Sequence, residues 1–233
     1  MKKLILFSGG PDSTSAVYIL KDQYDLQLLT LVDNQRTKNI CEVELASKTA
    51  KSLGLSHKIF DISHFNELFS DLPFTLVGLG GGNKPGKREP SMSKIKCVPD
   101  GKYEAPLSIQ FLHTIGAMYA ISHGYSSMIW AVHKDDDIIS EQWIKNYTES
   151  LSESFRHSGF DFCIETPFIH LTKAELIIQG IKNGMDIETT YSCLVNTDFT
   201  HCGQCEGCRE REKALSFIKT NEVLEEETLV TTR

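Results

Sequence analysis

The sequence lacks any apolar run of membrane-spanning length, so none of its 233 residues are expected to cross a bilayer as a helix. It also lacks a surplus of positive charge. Against 31 Asp and Glu stand only 24 Lys and Arg, a formal net charge of −7, which argues against a broad footprint for nucleic acid and leaves room only for a local basic patch. A secreted disulfide framework is missing as well. Of seven cysteines, Cys41, Cys97 and Cys163 are scattered, whereas Cys193, Cys202, Cys205 and Cys208 crowd together. That distribution fits a reducing compartment, with the cytoplasm the expected address, and a metal site. The opening MKKLILF starts like a signal peptide, but its apolar stretch is too short before Ser8-Gly9-Gly10, and a first buried strand is expected instead. Finally, no Walker A lysine follows those glycines, which disfavours an ordinary P-loop NTPase.

What is present is the composition of a globular protein, 40% hydrophobic and 24% charged. Apolar runs at 3–7, 26–32 and 126–132 read as strands, as do the segments 57–62 and 161–165, and helical spacing recurs at 13–21, 40–53, 107–123, 140–157 and 172–183. This alternation predicts an α/β fold, a parallel sheet flanked by helices with right-handed crossovers. The stretch 78–106, with GLGGGNKPGKREP, breaks the rhythm and reads as a substrate lid or a disordered loop. We expect a nucleotide-binding domain over 1–185, a metal knuckle with a C-terminal helix over 186–218, and a tail over 219–233.

Two motifs carry chemistry. Ser8-Gly9-Gly10-Pro11-Asp12-Ser13 sits between a strand and a helix, where glycines permit close approach to an oxyanion and the helix's first amides face it. Ser8 and Ser13 add hydroxyls, and Asp12 suits a Mg2+ contact or a helix cap. The same six residues are also good turn chemistry. Cys193-x8-Cys202-x2-Cys205-x2-Cys208 supplies four soft thiolates for one tetrahedral centre, Zn2+ or an iron–sulfur cluster, with Gly203 and Gly207 at the tight turns. A closed site of this kind is structural, worth on the order of 10 kcal/mol of apparent metal binding.

The glycine loop resembles the SGGxDS loop of the PP-loop ATP pyrophosphatases, which cleave ATP between its α- and β-phosphates and transfer AMP to a substrate oxygen. Loop and knuckle together resemble the 7-cyano-7-deazaguanine synthase family, QueC. The likeness extends to Gln35-Arg36 followed by Glu42 or Glu44, to Thr166-Pro167-Phe168-Ile169, to Leu171-Thr172-Lys173-Ala174-Glu175, to Ser192-Cys193 and to CGQCEGCRER. It implies an adenine-nucleotide α-hydrolase-like sheet, ATP, Mg2+, a structural Zn2+ and often a homodimer. It implies that Ser8, Gly9, Gly10, Asp12, Ser13, Gln35 and Arg36 bind nucleotide and that Asp12, Ser13 and Lys173 are catalytic, with Lys173 on the phosphates. The family reaction adenylates the carboxylate of 7-carboxy-7-deazaguanine, forms an amide with ammonia, and dehydrates it to a nitrile.

The acceptor region departs from that pattern. Where the family has GVNxxD…YPDCR, this chain reads Ala131-Val132-His133-Lys134-Asp135-Asp136-Asp137 and then Ser140-Glu141-Gln142-Trp143-Ile144. Ala105-Pro106-Leu107 stands where the family has Gly-Arg-Asn. His133, Asp135 and Asp136 are therefore the expected substrate contacts, with His133 a candidate general base. Trp143 could stack on a flat heterocycle or simply pack. The expected activity is an adenylating amide ligase whose amine, on a small molecule or another protein, need not be ammonia. The alternatives are the complete nitrile synthase, a tRNA-modifying PP-loop enzyme using Cys97, and a zinc-stabilised scaffold.

Overall fold

In the computed structural model, residues 1–33, 38–65, 107–135 and 140–231 are described. The expected lid at 78–106, Cys97, Gln35, Arg36 and Asp136 lie outside them.

Five strands, β1 (Lys2–Leu6), β2 (Asp25–Val32), β3 (Ser56–Asp61), β4 (Ser127–Ile129) and β5 (Cys163–Glu165), form one parallel sheet in the order β3-β2-β1-β4-β5. The helices are α1 (Pro11–Leu20), α2 (Lys38–Ser52), α3 (Leu107–Ser122), α4 (Glu141–His157), α5 (Lys173–Lys182) and α6 (Glu206–Thr231). The parallel α/β expectation is met, and every strand and helix read from the periodicity is found. β1 is buried on both faces. Ile5 and Phe7 join Ala16, Val17 and Leu20 of α1 and Ala46 and Ala50 of α2 in one core. Leu4 joins Ala117 and Ala120 of α3 with Phe162 and Ile164 in the other. Such two-sided burial explains why Leu4 to Phe7 reads as an uninterrupted apolar run.

β4 is shorter than the apolar run 126–132 suggests. It pairs with β1 on one side and β5 on the other only over Ser127–Ile129, and Trp130 then makes a single bond to the Glu165 carbonyl at 2.9 Å. Beyond that point the chain leaves the sheet, carrying Val132 and His133 over its carboxyl edge. The strand order reverses between β1 and β4, and ligands of open α/β sheets gather outside such a switch point. The helix α6 continues beyond residue 218 to Thr231.

Candidate active site and metal centre

The chain turns from β1 into α1 through Ser8, Gly9 and Gly10. Gly9 has φ +82°, and a side chain there would run into the Glu42 carbonyl and the start of Ala46, so α2 packs directly onto the loop. Gly10 is the N-cap of α1 and offers no side-chain acceptor, and Pro11 follows at the first helical position. The amides of the first turn are thus left for an external anion, where the helix dipole favours negative charge. The Ser8 amide donates to Ser13 Oγ at 3.2 Å, and the Gly10 amide donates to Ser8 Oγ at 3.2 Å. Both hydroxyls brace the loop and stand 3.1 Å apart.

Asp12, the second residue of α1, meets Lys173, the first residue of α5. Lys173 Nζ lies 3.2 Å from Asp12 Oδ2 and 3.3 Å from Glu210 Oε2 of α6, with the lysine side chain 13% exposed. α5 starts there because Thr172 and Glu175 form a reciprocal capping box. The Lys173 amide donates to Asp135 Oδ2 at 2.9 Å. His133 Nε2 lies 3.7 Å from Asp12 Oδ1, a buried atom that makes no hydrogen bond among the described residues. Burial pushes the Asp12 carboxyl up, but Lys173 and His133 outweigh it and hold it down at about 2. Burial likewise opposes the charge on Lys173, while Asp12 and Glu210 raise its ammonium above the usual lysine range. The result is an ionised acid, a fixed ammonium and an imidazole beside an uncapped helix start.

Three of the residues singled out in the sequence therefore converge, Asp12, Lys173 and His133, while Ser8 and Ser13 brace the neighbouring loop. Asp135 is engaged as a cap on α5. Glu210 was missed as a site residue, although it stands inside CGQCEGCRER, two residues after Cys208.

The sulfurs of Cys193, Cys202, Cys205 and Cys208 lie within 4.8 Å of one another, with Cys205–Cys193 and Cys202–Cys208 both at 3.9 Å. A tetrahedron with metal–sulfur bonds of about 2.3 Å has sulfurs about 3.8 Å apart, so the set fits one ion. Backbone amides brace it: Leu194 donates to Cys205 Sγ at 3.3 Å, Asn196 to Cys193 Sγ at 3.3 Å and Cys205 to Cys202 Sγ at 3.3 Å. Burial works against the Cys193 thiolate, yet the amides of Asn196 and its neighbours bring that thiol to about 6. Burial, with the adjoining Cys205, pushes Cys208 up to about 12. A side chain at Gly207 would strike the Ser192 carbonyl, so only glycine allows α6 to begin this close to Cys193.

No helix among the described residues is long and apolar enough to cross a membrane. The chain is similar to the 7-cyano-7-deazaguanine synthase of Methanoregula boonei, at 29% identity over 97% of this chain and 100% of that protein. It is 30% identical to the Brucella ovis protein of the same name, covering 92% of this chain and 88% of that one. The fold is shared with the U34-tRNA thiolase NcsA of Methanococcus maripaludis, solved with its 4Fe–4S cluster. That match has a TM-score of 0.51 at 15% identity, over 95% of this chain and 66% of the thiolase. The family described as queuosine biosynthesis protein QueC matches residues 2–81 and 87–219, and the chain belongs to it.

Proposed function

We propose that the protein is an ATP-dependent, AMP-forming ligase acting on the carboxylate of 7-carboxy-7-deazaguanine. A carboxylate oxygen attacks the α-phosphorus, the bond to the bridging oxygen breaks, and pyrophosphate leaves with the electron pair. An amine then attacks the acyl carbon, AMP leaves, and the amine's proton passes to a base, for which His133 is the candidate. The observation that carries this reading is the closure of Lys173, held by Asp12 and Glu210, against the uncapped start of α1. Fixed positive charge beside free amides is what a triphosphate and departing pyrophosphate require. The buried Oδ1 of Asp12, which makes no hydrogen bond among the described residues, makes it the residue present for Mg2+, an ion that would neutralise phosphate charge. The four-thiolate knuckle suits Zn2+ in a structural role.

The complete nitrile synthase is the second reading, favoured by relatives of that name that align over 97% of this chain. It requires the amide from ammonia to be adenylated again at oxygen and to lose AMP. The departures at Ser140-Glu141-Gln142-Trp143-Ile144, where the family pattern has its acceptor element, favour the single-round ligase.

Mass spectrometry of products from Mg-ATP and the acid, with ammonia or larger amines and with pyrophosphate measured in parallel, separates the readings. Amide without nitrile supports the ligase, and nitrile supports the synthase. No acid-dependent pyrophosphate under any condition refutes both. Asp12→Asn is expected to cut pyrophosphate release by roughly a hundredfold while metal content and helicity stay unchanged.

A further inference from the structure

A second group of polar atoms lies across β4 from Asp12. Side chains alternate as the chain leaves the strand: Trp130 and Val132 pack towards Ile144 of α4 and Ile109 of α3, while His133 turns to the Asp12 side. Around Trp130 four rings form a continuous set. Trp143 stacks on Tyr147 at 4.7 Å and 16°, Tyr147 stacks on His113 at 5.6 Å, and His113 meets Trp130 edge-on at 4.5 Å. Tyr147 and His113 come from the second turns of α4 and α3.

Pure packing does not explain this set. Tyr147 Oη and His113 Nδ1 are both shielded from solvent and lack a hydrogen-bond partner among the described residues, and His113 is only 3% exposed. Orphaned buried polar groups are costly, and phenylalanine at either position would avoid that cost. Burial keeps His113 neutral, at about 3, and raises the Tyr147 phenol, so the phenol stays a donor and the imidazole offers no charge. Two uncharged, unpartnered polar atoms set among flat rings suit an uncharged, flat ligand edge.

We propose that this cluster is the subsite for the heterocyclic ring of the acid substrate. Trp143 supplies a stacking face, and Tyr147 Oη and His113 Nδ1 pair with the ring's polar edge. The carboxylate then reaches over the end of β4 to Lys173. The inference rests on the ligase reading for the identity of the acid, and extends it to residues that the glycine loop and knuckle do not touch.

The test is isothermal titration of the metal-loaded protein, without ATP, with 7-carboxy-7-deazaguanine and with guanine. Tyr147→Phe is expected to weaken ring binding roughly tenfold to a hundredfold, with Mg-ATP affinity unchanged. Its melting temperature should hold or rise, because the lost hydroxyl had no partner. His113→Phe should act alike. Equal ring affinity in wild type and Tyr147→Phe, or no ring binding by wild type, overturns the subsite even where pyrophosphate release establishes the ligase. Tyr147-dependent ring binding in a chain that releases no pyrophosphate supports the subsite and removes the ligase.

Discussion

Replacing Lys173 by methionine tests the electrostatic centre of the site without any ligand. Its ammonium is the principal reason that the Asp12 carboxyl, which burial alone would push up, falls from 3.8 to about 2. At 1.36 kcal/mol per pKa unit, that difference is about 2 kcal/mol of folding stability. A depressed carboxyl stabilises the fold fully above its unfolded value of 3.8, and the contribution is lost as pH falls through about 2. Lys173→Met removes it and leaves Asp12 buried at a penalty, so the variant should be less stable than wild type by at least about 2 kcal/mol at pH 7. The Glu210 contact adds less, because that carboxylate is 42% exposed and screened. As pH drops from 4 towards 2, protonation of Asp12 in both proteins should close the gap. Urea unfolding of wild type and Lys173→Met at pH 7, 5, 4 and 3 reads it directly. A gap of the same size at pH 7 and pH 3 would refute the assignment, and so would one below about 0.5 kcal/mol at pH 7.

Cys205→Ser should lose the bound metal, measured by atomic emission, together with ellipticity from α6, because Cys205 is buried and its sulfur accepts the Leu194 amide. Full helicity in a metal-free variant would contradict a structural knuckle. Gly9→Ala should destabilise the protein by about 1–3 kcal/mol, since the site has φ +82° and faces the Glu42 carbonyl. An unchanged melting temperature would mean that α2 does not hold the loop.

The sheet was legible because strands alternate with helix-period segments, and two-sided burial makes Leu4–Phe7 of the first strand run and most of β2 plainly apolar. The loop and knuckle were legible because their chemistry is local: glycines, hydroxyls and thiols a few residues apart. Contacts between remote segments were not. Lys173 was readable from the Leu171-Thr172-Lys173-Ala174-Glu175 segment that the family resemblance singled out. Nothing local said that Glu210 supplies one of its two anions, since that pairing spans 37 residues. Asp135 read as a substrate contact, yet its carboxylate accepts the first amide of α5, 38 residues away. The orphaned Tyr147 and His113 were invisible for the same reason, because each looks like ordinary helix packing until the two helices meet.

The knuckle is more than an appended staple, because one contact runs from it into the glycine loop, one into α5, and a third set braces the segment between. The Tyr191 amide donates to the Gly9 carbonyl at 3.2 Å, tying the residue two before Cys193 to the turn itself. Arg211, buried in α6, donates to Thr190 Oγ1 at 2.7 Å and to the Ile187 carbonyl at 2.9 Å, which fixes the segment leading to Tyr191. Glu210, on the same helix, reaches Lys173. All three depend on where α6 begins, and that start is set by Cys205, Gly207 and Cys208 of the four-thiol cluster. Metal loss should therefore weaken Mg-ATP binding before it unfolds the sheet. Isothermal titration with Mg-ATP against chelator concentration, alongside far-ultraviolet dichroism, separates the two events. Nucleotide affinity that persists until the sheet melts would show that knuckle and loop are mechanically independent.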